Sequence, residues 1–185
     1  RGRVAVIFQP AEEGGGGGNE MVKDGMMERF AIERVFGMHN LPGLPVGQFA
    51  IRPGPIMAAT AEFVITVKGR GGHAAMPHTV VDPILAASQI VTALQSIASR
   101  NVHPLDSVVV SVTKFHAGDA FNVIPDSVEL AGTVRTLSAE MRDLAETRIN
   151  EIVQGVAAAH GVSVSVSFNT EFIETINAAA PTQAV

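Results

Sequence analysis

The chain contains no cysteine, no tryptophan and no tyrosine among its 185 residues. Without thiols it can form neither disulfides nor cysteine-ligated metal sites of its own. Without the two aromatics that carry a polar tip, its core must come from aliphatic side chains, methionines and nine phenylalanines. Positive charge is also short: 13 Lys and Arg stand against 18 Asp and Glu, for a net charge of -5. That leaves no basic footprint for nucleic acid. No apolar run approaches the roughly 18 residues of a membrane-crossing helix, and no signal-peptide pattern is visible. The run Gly14 to Gly18 looks superficially like a phosphate loop. It lacks the Gly-Lys-Ser/Thr ending, so nucleotide binding is not expected. What the chain does have is a hydrophobic content of 46%, ample for one large domain or two small ones.

The most informative stretch is Gln9-Pro10-Ala11-Glu12-Glu13-Gly14. It follows the apolar run Val4-Ala5-Val6-Ile7-Phe8, which reads as a buried strand of a parallel sheet. Ligands of open α/β sheets bind outside the carboxyl ends of strands. Adjacent carboxylates there diverge, so one can hold a metal while the other handles a proton; the bland alternative is two solvated carboxylates in a turn. A second strand end follows at Phe36-Gly37-Met38-His39-Asn40-Leu41-Pro42, after the apolar positions Ile32 and Val35. Between them, Asn19 is the expected N-cap of a short helix and Gly25 its stop. Strand, crossover helix and strand make a βαβ unit that sets successive strand ends near each other. A carboxylate and an imidazole so placed suit zinc or a similar ion.

From Ala58 the pattern changes. Gly43, Pro45, Gly47, Pro53, Gly54 and Pro55 mark turns, with a short strand expected from Gln48 to Ile51. Phe63, Ile65 and Val67 then alternate as a strand. Asp82 and Pro83 open a helix whose stripe is Ile84, Ala87, Ile90, Val91, Leu94 and Ile97. Strands are expected over Val108 to Phe115 and Ser127 to Arg135. Ser138 caps a second helix, with Met141, Leu144, Ile149, Ile152, Val153 and Val156 on its apolar side and Gly161 at its end. Val162 to Phe168 alternate strictly with serines as a half-buried strand. The order β-α-β-β-α-β is the ferredoxin-like pattern.

Five motifs, taken in order, resemble the aminoacylase/carboxypeptidase metallohydrolases, in the branch of hippurate hydrolases and N-acyl-amino-acid amidohydrolases. They are Gln9 to Gly14; Gly37-Met38-His39-Asn40-Leu41-Pro42; Lys68-Gly69-Arg70-Gly71-Gly72-His73-Ala74-Ala75-Met76-Pro77-His78; Asn122-Val123-Ile124-Pro125-Asp126; and Gly132-Thr133-Val134-Arg135-Thr136. The resemblance implies a ferredoxin-like lid, which often mediates dimerisation, attached to part of an α/β metallohydrolase catalytic domain. The expected division is 1–57 catalytic, 58–172 lid and 173–185 the return to the catalytic domain. Hydrolysis of N-acyl amino acids by a metal-activated water is implied, in the cytoplasm, with two divalent ions, zinc before manganese or cobalt. Glu12 is then the general base, with Glu13 and His39 as metal ligands. His73 stabilises the carbonyl oxyanion, Asn122 contacts substrate near the scissile group, and Arg135 clamps the substrate carboxylate with its planar fork. His78, His103, His116 and His160 are read as structural. The partners implied are a small N-acyl amino acid and a second copy paired through the lid, with neither nucleic acid nor membrane. Family members also carry an upstream Asp-Gly-Cys-Gly-His-type motif and a late histidine ligand, without counterparts here. The chain is therefore expected to be an internal stretch of such an enzyme and inactive alone. The rival expectation is an isolated lid serving only as a folding and dimerisation module.

Overall fold

The structure, a computed structural model, describes residues 2–185. Contacts divide it into an inner unit, Pro55–Ile176, and an outer unit made of the residues before it together with Asn177–Val185.

The outer unit holds α1 (Gly17–Lys23) and α2 (Met26–Arg29) before residue 54. Helix α1 starts earlier than expected: Gly16, at φ 63, is its N-cap, and Asn19 lies inside it. The glycine run explains the shift. A Cβ on Gly17 would sit 1.9 Å from Pro10 O, so only glycine lets the first turn pack against the Gln9-Pro10 corner. Gly25, at φ 79, follows the helix as expected. The strands expected at Val4–Phe8, at Ile32–Val35 and at Gln48–Ile51 are not formed, and neither is the βαβ unit. Val4 is 92% and Phe8 85% exposed. A strand persists when neighbours take up its N–H and C=O groups, and among the described residues none pairs with these segments.

The inner unit begins within β1 (Gly54–Met57), followed by β2 (Ala59–Lys68) and the two-residue β3 (Gly72–His73). A 3₁₀ turn at Pro77–Thr79 leads into α3 (Pro83–Leu94), followed by a π turn at Ile97–Asn101. Then come β4 (Val108–Ala117), β5 (Val123–Ile124), β6 (Ser127–Thr136), α4 (Ala139–His160), β7 (Ser163–Phe172) and β8 (Thr175–Asn177). The short α5 (Ala179–Gln183) follows in the outer unit. Strands β4-β6-β2-β7 form one antiparallel sheet, with β2 and β6 central. With α3 and α4 this is the ferredoxin-like arrangement, framed by two small pairs, β3 with β5 and β1 with β8.

Period-two alternation decides which side of the sheet is the core. Phe63, Ile65 and Val67 of β2 and Val128, Leu130 and Val134 of β6 are buried against Ala86, Ala87, Ile90 and Leu94 of α3 and Ala145, Ile149 and Val153 of α4. Gly132 sits in this layer because a Cβ there would lie 2.4 Å from Phe63 Cζ and 2.1 Å from Ser111 O. Ile84 departs from the expected stripe: it is 36% exposed, while Pro83 and Ala86 are buried instead. Asp82 caps α3, its Oδ1 accepting from Ile84 N at 2.8 Å. Ser138 Oγ accepts from Met141 N at 3.3 Å, and Gly161 closes α4 at φ 68.

Candidate functional site

In the outer unit, Glu12 and Glu13 lie in the turn between the Gln9-Pro10 corner and α1, both exposed. Ala11, just before them, takes a left-handed φ of 48, uncommon for a residue with a Cβ. His39 is also exposed. Its Nδ1 lies 2.7 Å from Asn40 O. A carbonyl oxygen only accepts, so Nδ1 carries the hydrogen and Nε2 keeps its lone pair. Carboxylate and imidazole are the donor types that divalent transition metals take, and an imidazole tied through its other nitrogen is the usual form of such a ligand. Glu13 and His39 therefore fit a metal by chemistry. Among the described residues, however, no group of three His, Asp or Glu side chains converges.

The inner unit brings together two predicted residues 49 positions apart. His73 lies not in a free loop but in β3, opposite Val123 of β5. Ala74 N donates to Asn122 O at 3.0 Å, so His73 and Asn122 share one ribbon. Two devices hold the ribbon shut. Asp126 accepts twice from the glycine segment, from Gly71 N through Oδ1 at 2.8 Å and from Gly69 N through its own carbonyl at 2.9 Å. Gly71 also approaches the other strand so closely that a Cβ would lie 2.3 Å from Ile124 O. The His73 ring is oriented from its own chain: Ala75 N donates to Nδ1 at 3.1 Å. That places the ring hydrogen on Nε2, the reverse of His39.

Arg135 is a half-buried residue near the end of β6, paired with Thr60 on one side and Val109 on the other. Its guanidinium makes one long hydrogen bond, from Nη1 to Val134 O at 3.4 Å, and no ion pair among the described residues. Sequence reasoning passed over two features here. Asp126 was visible as the last residue of the Asn-Val-Ile-Pro-Asp motif, but its role needs the fold. The network of Thr136, Arg142 and Glu174 had no local signal, because its members lie in β6, in α4 and in the segment between β7 and β8.

With this geometry in place, similarity to known proteins is specific. Residues 59–160 match the family model of the M20 peptidase dimerisation domain. A hippurate hydrolase of Campylobacter jejuni is 44% identical over 176 residues, 95% of this chain and 46% of its own length. An N-acetyl-L-cysteine deacetylase of Bacillus subtilis is 41% identical over 170 residues, 92% of this chain and 40% of its own length. A Bacillus subtilis crystal structure, described as a dinuclear metal-binding peptidase of the M20 family, superposes with a TM-score of 0.76 at 34% identity. That match covers 96% of this chain and 43% of the other. The chain thus spans less than half the length of these relatives. It belongs to the M20 family of peptidases and amidohydrolases, and its inner unit carries that family's dimerisation domain.

Proposed function

We propose that the whole enzyme hydrolyses the amide bond of N-acyl amino acids. One observation carries the reading: the similarity to a hippurate hydrolase and to a deacetylase runs through 95% and 92% of this chain, far beyond the dimerisation domain. Residues 1–57 belong to the catalytic part, 58–172 to the lid, and 173–185 to the return. Glu13 and His39 contribute to holding two divalent ions, zinc first and manganese or cobalt as substitutes. Such ions, when bound, act as Lewis acids on the scissile carbonyl and make a water acidic enough to attack near neutral pH. Glu12 accepts a proton from the attacking water and returns it to the leaving amine nitrogen. His73, with its hydrogen on Nε2, donates to the oxygen on which negative charge develops. Asn122 contacts substrate beside it, and Arg135, free of any lid carboxylate, receives the substrate carboxylate on its fork. A cytoplasmic setting belongs to the same reading.

We place the second copy of the chain on the lid. The outer side of α3 supports this: from Pro83 to Leu94 the helix carries no charged residue, and Leu85 is 52% exposed. Helix α4, on the same side of the sheet, exposes Glu140, Asp143, Glu146 and Glu151. The ten-residue strands β4 and β7 are open edges of the kind that pair with another copy. This 185-residue chain by itself should dimerise without turning over substrate, since Glu13 and His39 are only two of the several protein ligands that a two-metal site needs.

The base and ligand roles are separable. In the whole enzyme, Glu12→Gln keeps the shape but cannot take a proton. It should abolish turnover while metal content, measured on the dialysed protein, stays near wild type. Glu13→Gln and His39→Ala should lose metal. Retention of metal by Glu13→Gln together with its loss in Glu12→Gln would exchange the two roles.

A further inference from the structure

Glu174 is the one charged side chain among the buried residues described; its side chain is 5% exposed. Arg142 Nη1 donates to both carboxylate oxygens, Oε1 at 2.9 Å and Oε2 at 3.0 Å, and Arg142 is itself 17% exposed. Thr136 Oγ1 donates to Oε1 at 3.2 Å. Stability does not account for such a group. A buried ion pair loses its hydration, and well-packed apolar residues of the same size usually serve as well or better. The network instead does something geometric. It ties the last residue of β6, the first turns of α4 and the segment between β7 and β8 to one carboxylate.

That point lies beside Arg135. One row across the sheet runs Val109, Arg135, Thr60, Phe172, and the next runs Val108, Thr136, Ala59. The pairing of β2 with β7 slips just before the Arg135 row: Ala61 faces Thr170 and Thr60 faces Phe172, leaving Glu171 as an extra residue. Such a bulge bends the strand and ends its regular pairing. The chain then leaves the sheet through Ile173, 71% exposed, and turns Glu174 inward. Successive side chains of a strand point to opposite faces. Thr136 is therefore gripped from the core side while Arg135 emerges from the other. Among the described residues the guanidinium makes only one long hydrogen bond, so the point its side chain reaches out from is set by its backbone, and that backbone is held by the residue next to it.

We propose that Glu174 is a positioning residue: through Thr136 and Arg142 it fixes the end of β6 and so the aim of Arg135 at the substrate carboxylate. The proposal rests on the carboxylate-binding role given to Arg135 above. A carboxylate clamp is read by substrate preference. In the whole, metal-loaded enzyme, kcat/KM is measured for an N-acyl amino acid and for its carboxamide analogue, and the ratio reports the clamp independently of the amount of active enzyme. Arg135→Ala sets the floor of that ratio. Glu174→Gln, similar in size but uncharged, should lower it about tenfold, as expected for a misplaced binding group. The loss should appear as a raised KM for the acid, with the amide nearly unaffected. In the Arg135→Ala background Glu174→Gln should change the ratio no further. Thr136→Val, which removes one hydroxyl and keeps the shape, should give a smaller drop and serves where Glu174→Gln does not fold. Equal loss on both substrates, or a lowered melting temperature with the ratio intact in either variant, overturns the proposal. A wild-type enzyme indifferent to the carboxylate removes the Arg135 reading and this proposal with it. A wild-type preference that survives both variants removes this proposal alone.

Discussion

Gly71→Ala tests whether the ribbon carrying His73 and Asn122 depends on the close approach of its two strands. An added Cβ would stand 2.3 Å from Ile124 O, 2.8 Å from Pro125 C and 3.0 Å from Asp126 N. All three are backbone atoms, so no rotamer change relieves the contact, and the strands must part by roughly 1 Å. Overpacking of this kind costs about 1–3 kcal/mol. Parting also stretches the bond from Gly71 N to Asp126 Oδ1. A value of about 2 kcal/mol corresponds to a shift of about thirtyfold in a local opening equilibrium. The amide of Ala74, bonded to Asn122 O across the ribbon, is the reporter. Its hydrogen exchange in the 185-residue chain should speed up by about that factor, because local openings govern exchange at such sites. Amides in the centre of β2 and β6, outside the ribbon, should keep their protection. Gly72→Ala is the control: its Cβ meets only Val80 Cγ1, at 2.7 Å, a side chain that can rotate away. Unchanged Ala74 protection in Gly71→Ala would refute the reasoning, and so would an equal effect from Gly72→Ala.

Further outcomes follow from the roles proposed for the lid. In the whole enzyme, His73→Ala should lower kcat by about a hundredfold, the range for loss of an oxyanion donor. Arg135→Ala should chiefly raise KM, and Arg135→Lys should not restore it because a point charge cannot reproduce a bidentate fork; steady-state kinetics at wild-type metal content decide both. Leu85→Glu, placing a charge on the uncharged outer side of α3, should shift the chain towards monomer in sedimentation velocity without altering its circular dichroism. An unchanged sedimentation coefficient would move the interface to another face.

The inner unit was legible because its signals are local and redundant. Alternation along Ala59–Lys68 and Ser127–Thr136, the Asp82 and Ser138 caps and the Gly161 stop each name their element without help from the rest. Ile84 was misread because a helical stripe leaves the first turn ambiguous; there Pro83 and Ala86 face the sheet instead. The outer unit was less legible for a different reason. Val4, Val6 and Phe8 belong to the continuous apolar run of a buried strand, yet at 92%, 75% and 85% exposure they lie on nothing. Burial of each such side chain is worth about 1.5–3 kcal/mol, and pairing satisfies the backbone only when a neighbour is present. Hydrophobic pattern specifies what a segment does with a partner and does not supply one. The same limit hid the Glu174 network: Thr136, Arg142 and Glu174 are each unremarkable in sequence, and only the fold brings the third to the first two.

His39 and His73 show how far local backbone geometry can decide chemistry that residue type leaves open. Both are exposed histidines that follow a glycine-containing stretch, and as sequence they are nearly equivalent. In one, Nδ1 faces the carbonyl oxygen of Asn40 and must donate; in the other, Nδ1 faces the amide of Ala75 and must accept. The first arrangement leaves the lone pair on Nε2, the form that the proposed metal-ligand role needs. The second leaves the N–H on Nε2, the form that the proposed oxyanion-donor role needs. Neither choice requires burial or a charged neighbour, since each is made within two residues of the ring. The two proposed roles can therefore be drawn from the same amino acid, according to whether the chain presents a C=O or an N–H to Nδ1. Exchanging the two roles would mean re-folding a turn, and no substitution of the ring itself would do it.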